Sequence, residues 1–286
     1  MQYNFDKIIK RTGTKSYKWD DNFEKFGHND LIPMWVADMD FEAPPEVVKA
    51  LRKRVSHGAY GYTKRPETYY KVFIDWIKKK HDWQIERDWI IDAPGIVPAI
   101  SFAINTFTSP SDNILEFSPV YDPFFNTVVF NQRNLILSEL KLVNGRYFID
   151  FADFENKAVR GIKMVILCSP HNPLARVWSP EELKKIGDIC CKYNILIVSD
   201  EVHSDLIFSD KTHHPIASIS EEIADRTITL NAPSKTFNLA GLLTAAVIIS
   251  NNDLRSKYAR TLESHGFTTG NLFGIEAFEN AYKFGE

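Results

Sequence analysis

Leu230-Asn231-Ala232-Pro233-Ser234-Lys235-Thr236-Phe237-Asn238 follows a short β-rich run, Thr227 to Leu230, and breaks at Pro233. The break puts Lys235 on a turn at the end of a strand. An amine held there and partly desolvated has a lowered proton affinity and can condense with a carbonyl. Taken alone, a Ser-Lys pair is more often an ordinary solvated lysine. Its meaning depends on what the rest of the chain brings to the same place.

Working outward, apolar β-type runs alternate with helical ones. The strands read from the sequence are Trp89 to Ala93, Asn113 to Phe117, Leu135 to Leu140, Lys163 to Cys168, Ile195 to Ser199, Thr227 to Leu230 and Thr244 to Ser250. Between several of them lie helix-like segments. The clearest is Pro180 to Tyr193, where Ser179 is the N-cap and Glu182 completes a capping box. Upstream, Val47, Val48, Leu51 and Val55 fall at helical spacing before Gly58, and a second amphipathic helix runs from about Pro66 to Lys80. The rhythm predicts an α/β fold: a mostly parallel seven-stranded sheet flanked by helices, with a partial small domain. Residues 1–45 are expected to form an N-terminal arm and part of that small domain, and residues 46–286 the large domain.

Composition narrows the function. Apolar residues at 44% and charged ones at 25% describe a globular chain, and a net charge of −3 offers no footprint for nucleic acid. Cys168, Cys190 and Cys191 form neither a disulfide framework nor a CxxC metal pattern, which suits a reducing compartment. Met1 to Lys7 lacks a basic start followed by an apolar core, and no apolar run approaches membrane-spanning length, so the expected location is cytoplasmic.

Sheets of this kind bind ligands at the carboxyl ends of their strands, so those ends are where chemistry should gather. Gly95-Ile96-Val97 opens a helix whose free amides can hold a phosphate, although a plain strand-to-helix connection looks the same. Tyr121 stands in a turn between Pro119 and Pro123 and could stack on a flat heterocycle, or be a half-buried loop tyrosine. Asn172, in Ser169-Pro170-His171-Asn172-Pro173, could donate to a phenolate-type oxygen, or be turn chemistry. Asp200 ends a nearly pure apolar run and calls for a cationic partner. A pyridinium nitrogen would serve; a structural ion pair or, with His203 nearby, a metal are the alternatives, the last weakened by the lack of further ligands at suitable spacing.

Four segments in order carry a resemblance: Met34-Trp35-Val36-Ala37-Asp38-Met39-Asp40-Phe41, Ser169 to Pro173 with Arg176-Val177-Trp178, Ser199-Asp200-Glu201-Val202-His203, and Ala232 to Gly241. On these the chain resembles fold-type I pyridoxal 5'-phosphate (PLP) enzymes of the class I/II aminotransferase superfamily, in the MalY and PatB type of cystathionine β-lyase (C–S lyase). The resemblance implies that Lys235 forms a Schiff base with PLP and later shuttles the Cα proton. It implies that Asp200 holds the ring nitrogen protonated, that Asn172 holds the ring oxygen and that Tyr121 stacks on the ring. Gly95, Ile96, Val97 and Ser234 would grip the phosphate, with Tyr62 reaching it from the second subunit of a homodimer. His203 stands where aminotransferases usually have tyrosine, and Ala37 would lie beside the substrate carboxylate. The implied reaction is β-elimination from cysteine S-conjugates such as L-cystathionine, giving a thiol, pyruvate and ammonia. Transamination shares every step up to the carbanion and is the alternative. Members of the family continue beyond the length of this chain into a C-terminal small domain with a carboxylate-binding arginine, so a truncated, non-catalytic PLP-binding or regulatory protein is the third expectation.

Overall fold

A computed structural model describes residues 4–208 and 210–286; the first three residues of the expected arm lie outside the described residues. The strands are β1 (Ile90–Ala93), β2 (Asn113–Ser118), β3 (Asn134–Glu139), β4 (Lys141–Val143), β5 (Arg146–Phe148), β6 (Ile162–Cys168), β7 (Leu196–Asp200), β8 (Thr227–Asn231) and β9 (Ala245–Ile248). Seven of them pair in the order β1-β9-β8-β7-β6-β2-β3, and these are the seven runs read from the sequence. From β3 through β2, β6 and β7 to β8 the pairing is parallel. β9 is antiparallel to both its neighbours, so β1 points the same way as the parallel set. The carboxyl ends of β1, β2, β6, β7 and β8 therefore share one edge.

The helices are α1 (Tyr17–Asp20), α2 (Asn22–Phe26), α3 (Pro45–Ser56), α4 (Glu67–His81), α5 (Ile96–Phe107), α6 (Pro123–Phe130), α7 (Phe151–Val159), α8 (Pro180–Lys192), α9 (Glu221–Ala224), α10 (Pro233–Thr236), α11 (Asn252–Ser264) and α12 (Leu272–Phe284). The central strands are apolar along their length because both faces are covered. On one face Ile100 of α5, Phe124 of α6 and Tyr258 of α11 pack on Met164, Val198 and Ile228. On the other, Phe154 of α7 and Leu183 and Ile186 of α8 pack on Leu115, Val165 and Ile197. A third cluster joins Val47 of α3, Phe73 and Trp76 of α4, and Phe278 and Tyr282 of α12 to Ile90 and Ile248. At the start of α8, Ser179 and Glu182 make the expected reciprocal capping box.

Two differences from the sequence reading are local. Past Glu139 the chain leaves the sheet, and β4 and β5 form a separate antiparallel hairpin. Asn144 and Gly145 turn it with φ of 50° and 76°, the left-handed pair that an Asn-Gly loop supplies. Residues 87–89 form a single 3-10 turn rather than the beginning of β1.

Candidate active site

β7 delivers the acid. Asp200 is its last residue, buried, in register with Cys168 of β6 and Leu230 of β8. Its Oδ1 accepts a hydrogen bond from the Val202 amide at 3.0 Å. Burial pushes the carboxyl up to about 7, with the Val202 amide pulling down, Glu201 pushing up and the Lys235 cation pulling down. Such a carboxylate gains much from a cation brought to it.

β8 delivers the amine. The extended Ala232 feeds the single turn α10, whose first residue is Pro233, and Lys235 follows half-buried. Burial lowers the amine below the ordinary lysine value, and the charges of Asp200 and Asp38 partly restore it. Its Nζ donates to the Ala37 carbonyl at 2.7 Å. The next residue anchors the turn: Thr236 Oγ1 donates to Asp205 at 2.8 Å, and Asp205 also accepts from Trp76 Nε1 at 3.2 Å and meets His81 Nε2 at 3.1 Å. Burial pushes the Asp205 carboxyl up, but His81, Thr236 and Trp76 together hold it below the ordinary range.

His203 stands in the field of the Lys235 cation and Tyr121 in that of Asp200. His203 is pushed down to about 4, by burial first and then by the Lys235 cation, so its ring is neutral near pH 7. The phenol of Tyr121 is raised by burial and by Asp122, Asp200 and Cys168, which places it within the field of the acid. The Asn172 backbone amide donates to Cys168 Sγ at 3.3 Å, while its side-chain amide makes no hydrogen bond among the described residues. Gly95 has φ 147°, a conformation that favours glycine, and no side chain caps α5 behind it. The amides of that helix start are thus open.

The structure thus brings Lys235 within electrostatic range of Asp200 and His203, and Asp200 within range of Tyr121, with Ala37 against the amine. Gly95, Ile96 and Val97, Asn172 and Ser234 lie on the same edge of the sheet. Tyr62 stands apart: it is 99% exposed, between α3 and α4, and hydrogen-bonds to none of the others. Two contributors escaped the sequence reading. Asp38 adds a second negative charge beside Lys235. His171 spans two strand-end loops through Nε2 and the Pro119 carbonyl, 2.8 Å apart. The Pro-His-Asn-Pro spacing marks the loop, but no local pattern tells which other loop the imidazole meets.

This is an α/β sheet whose strand-end edge carries a buried acid beside a half-buried amine and, from β1, the uncapped start of α5. Residues 29–271 match the model of the family described as aminotransferase class I and II, and the chain belongs to that family. Over 283 residues it is 42% identical to cystathionine β-lyase PatB of Bacillus subtilis (strain 168), covering 99% of this chain and 73% of that protein. Among solved structures, a PLP-bound protein of Clostridium difficile 630, assigned provisionally as an aminotransferase, superposes with a TM-score of 0.97 at 44% identity, covering 100% of this chain and 74% of that one. Cystalysin of Treponema denticola, which contains PLP, superposes with a TM-score of 0.95 at 39% identity, covering 99% and 73%. Among the described residues, no helix is long and apolar enough to cross a membrane.

Proposed function

We propose that this chain is a PLP-dependent carbon–sulfur β-lyase that acts on cysteine S-conjugates such as L-cystathionine and releases a thiol, pyruvate and ammonia. The observation that carries the reading is a half-buried Lys235 amine and a buried Asp200 carboxylate at adjacent strand ends, each in the other's electrostatic field. The donor set fits the cofactor: an acid in want of a cation, a side-chain amide with no partner among the described residues, and an uncapped helix start. The likeness to PatB and to cystalysin favours elimination.

When bound, PLP supplies an aldehyde that accepts an amine and a ring that draws electrons from the substrate Cα. The chain's residues do the rest. Asp200 holds a proton at the ring nitrogen, because a buried carboxylate is stabilised by the cation so kept. Asn172 would donate to the ring oxygen, Tyr121 would line the ring, and His203 would contribute a neutral imidazole. The Gly95, Ile96 and Val97 amides and the Ser234 hydroxyl hold the phosphate. Lys235, with its lowered proton affinity, takes the Cα proton at Nζ. Ala37 presents its peptide to the substrate carboxylate. The active form is read as a homodimer in which Tyr62 reaches the partner's phosphate site. Residues 46–286 form the cofactor-binding unit and residues 1–45 an arm with part of a smaller one. The three free cysteines, Cys168, Cys190 and Cys191, suit a cytoplasmic location.

A visible spectrum of the chain with added PLP, followed by a pyruvate assay on L-cystathionine, tests this. The expected result is an absorbance band that Lys235→Ala removes, together with pyruvate. An unchanged spectrum in Lys235→Ala refutes the role of the lysine. A band without pyruvate, but with amino transfer to a keto acid, replaces the lyase with the aminotransferase suggested by the name of the Clostridium difficile protein.

A further inference from the structure

Residues 33–41 join neither sheet and form no helix; they lie as a strap against the lysine turn, fastened on two sides. Towards the turn, Lys235 Nζ donates to the Ala37 carbonyl at 2.7 Å. Asn238, at φ 57°, accepts from the Met39 amide at 3.1 Å and donates to the Met39 and Phe41 carbonyls at 2.9 and 2.8 Å. Towards the arm, the Arg11 guanidinium forks onto Asp38 with bonds of 2.8 and 2.7 Å, and its Nη1 also reaches the Met39 carbonyl and Asp40, each at 2.9 Å. Lys18, buried, donates to Asp40 at 2.8 Å and to the Asp38 carbonyl at 3.0 Å, and Trp19 Nε1 donates to Asp40 at 2.9 Å.

Two cations thus face two carboxylates, and the bonds go to backbone as well as side chains. A lone exposed ion pair would do little for order. A forked guanidinium that also holds a main-chain carbonyl fixes both the place and the tilt of the segment, which a point charge cannot. The strap has no strand neighbour to hold it otherwise. The peptide so fixed is the one that touches the Lys235 amine.

We infer that Arg11, backed by Lys18 and Trp19, is a positioning residue of the active site: it sets where the Ala37 peptide stands against Lys235, and so where the substrate carboxylate can sit. The inference rests on the proposed roles of Lys235 and Ala37. It gives the arm a task within its own chain that its lack of periodicity concealed.

Amide hydrogen exchange on the 286-residue chain, combined with steady-state kinetics, tests it. In Arg11→Ala, peptides covering residues 34–41 should exchange about tenfold faster while those of β6 to β8 keep the parental rate; the KM for the amino-acid substrate should rise about tenfold with kcat nearly unchanged. Arg11→Lys, which keeps the charge without the fork, should recover part of both effects. Asp38→Asn approaches the same clamp from the strap and should loosen the same peptides. Parental exchange over residues 34–41 in both Arg11→Ala and Asp38→Asn overturns the proposal, as does a loosened strap with KM unchanged. A parent chain that shows no PLP band and no turnover sinks the reading of the site instead, and the exchange comparison still decides whether Arg11 holds the strap.

Discussion

Glu116 sits in the middle of β2, fully buried, with neither carboxylate oxygen hydrogen-bonded among the described residues. Burial alone pushes its pKa from 4.5 up to about 8. The folded chain therefore keeps this proton over a range in which the unfolded chain loses it. Below pH about 4.5 both states are protonated and the residue carries no ionic penalty. As pH rises towards 8, the unfolded state gains stability from ionisation while the folded one does not; above 8 the loss levels off. Glu116→Gln removes this dependence, so its stability advantage over the parent should grow between pH 5 and 8, reaching on the order of 3 kcal/mol. Urea unfolding of both chains across that range checks it, and a flat difference would mean that the acid finds a partner in solution. The run Asn113 to Phe117 reads as a strand because Ile114, Leu115 and Phe117 are apolar. That the acid is turned into the core depends on the helices covering both faces, which no short window contains. Asp200, Asn172, Tyr121 and Lys235 stand out in the sequence for a simpler reason: each lies within five residues of the end of a strand-like run, and a parallel sheet carries its ligands there.

At the scale of elements, α12 shows how far local pattern reaches. Its docking depends on Gly274, where a Cβ would stand 2.5 Å from the Leu242 carbonyl oxygen and 2.5 Å from Thr244 Cγ2. Alanine is ordinarily the better helix former by about 0.5–1 kcal/mol. Here the backbone oxygen cannot yield cheaply, and overpacking of this kind costs about 1–3 kcal/mol. Gly274→Ala should thus be destabilising by about 1–2 kcal/mol, read from thermal unfolding; a stabilised variant would show that α12 can shift away from the loop. Helix α8 was readable to within a residue because its cap, its apolar stripe and its end are all written locally. The hairpin β4–β5 was equally local, in Asn144-Gly145, but is too short to stand out from the strand before it. The strap and arm were legible only as motif and irregular segment, since Arg11 and Asp38 are brought together by tertiary contact rather than spacing.

For the molecule as a whole, the telling side chain is Tyr62, exposed and without a hydrogen bond among the described residues. Under the proposed homodimer, sedimentation should give twice the chain mass, and Tyr62→Ala should weaken PLP binding by about tenfold while unfolding at the parental temperature. A monomeric chain whose cofactor affinity ignores the substitution would remove Tyr62 from the site. The order of the seven strands has a further consequence, in time rather than space. β1 is an edge strand whose sole sheet neighbour among the described residues is β9, a strand just over 150 residues later in the sequence. During synthesis, Gly95 and the start of α5 therefore emerge early but have no fixed place beside β8 until residues 245–248 have left the ribosome and slotted between β8 and β1. The phosphate-holding amides and the lysine thus come into register late, so a nascent chain that still lacks β9 already contains every residue of the proposed site and should not yet hold the cofactor.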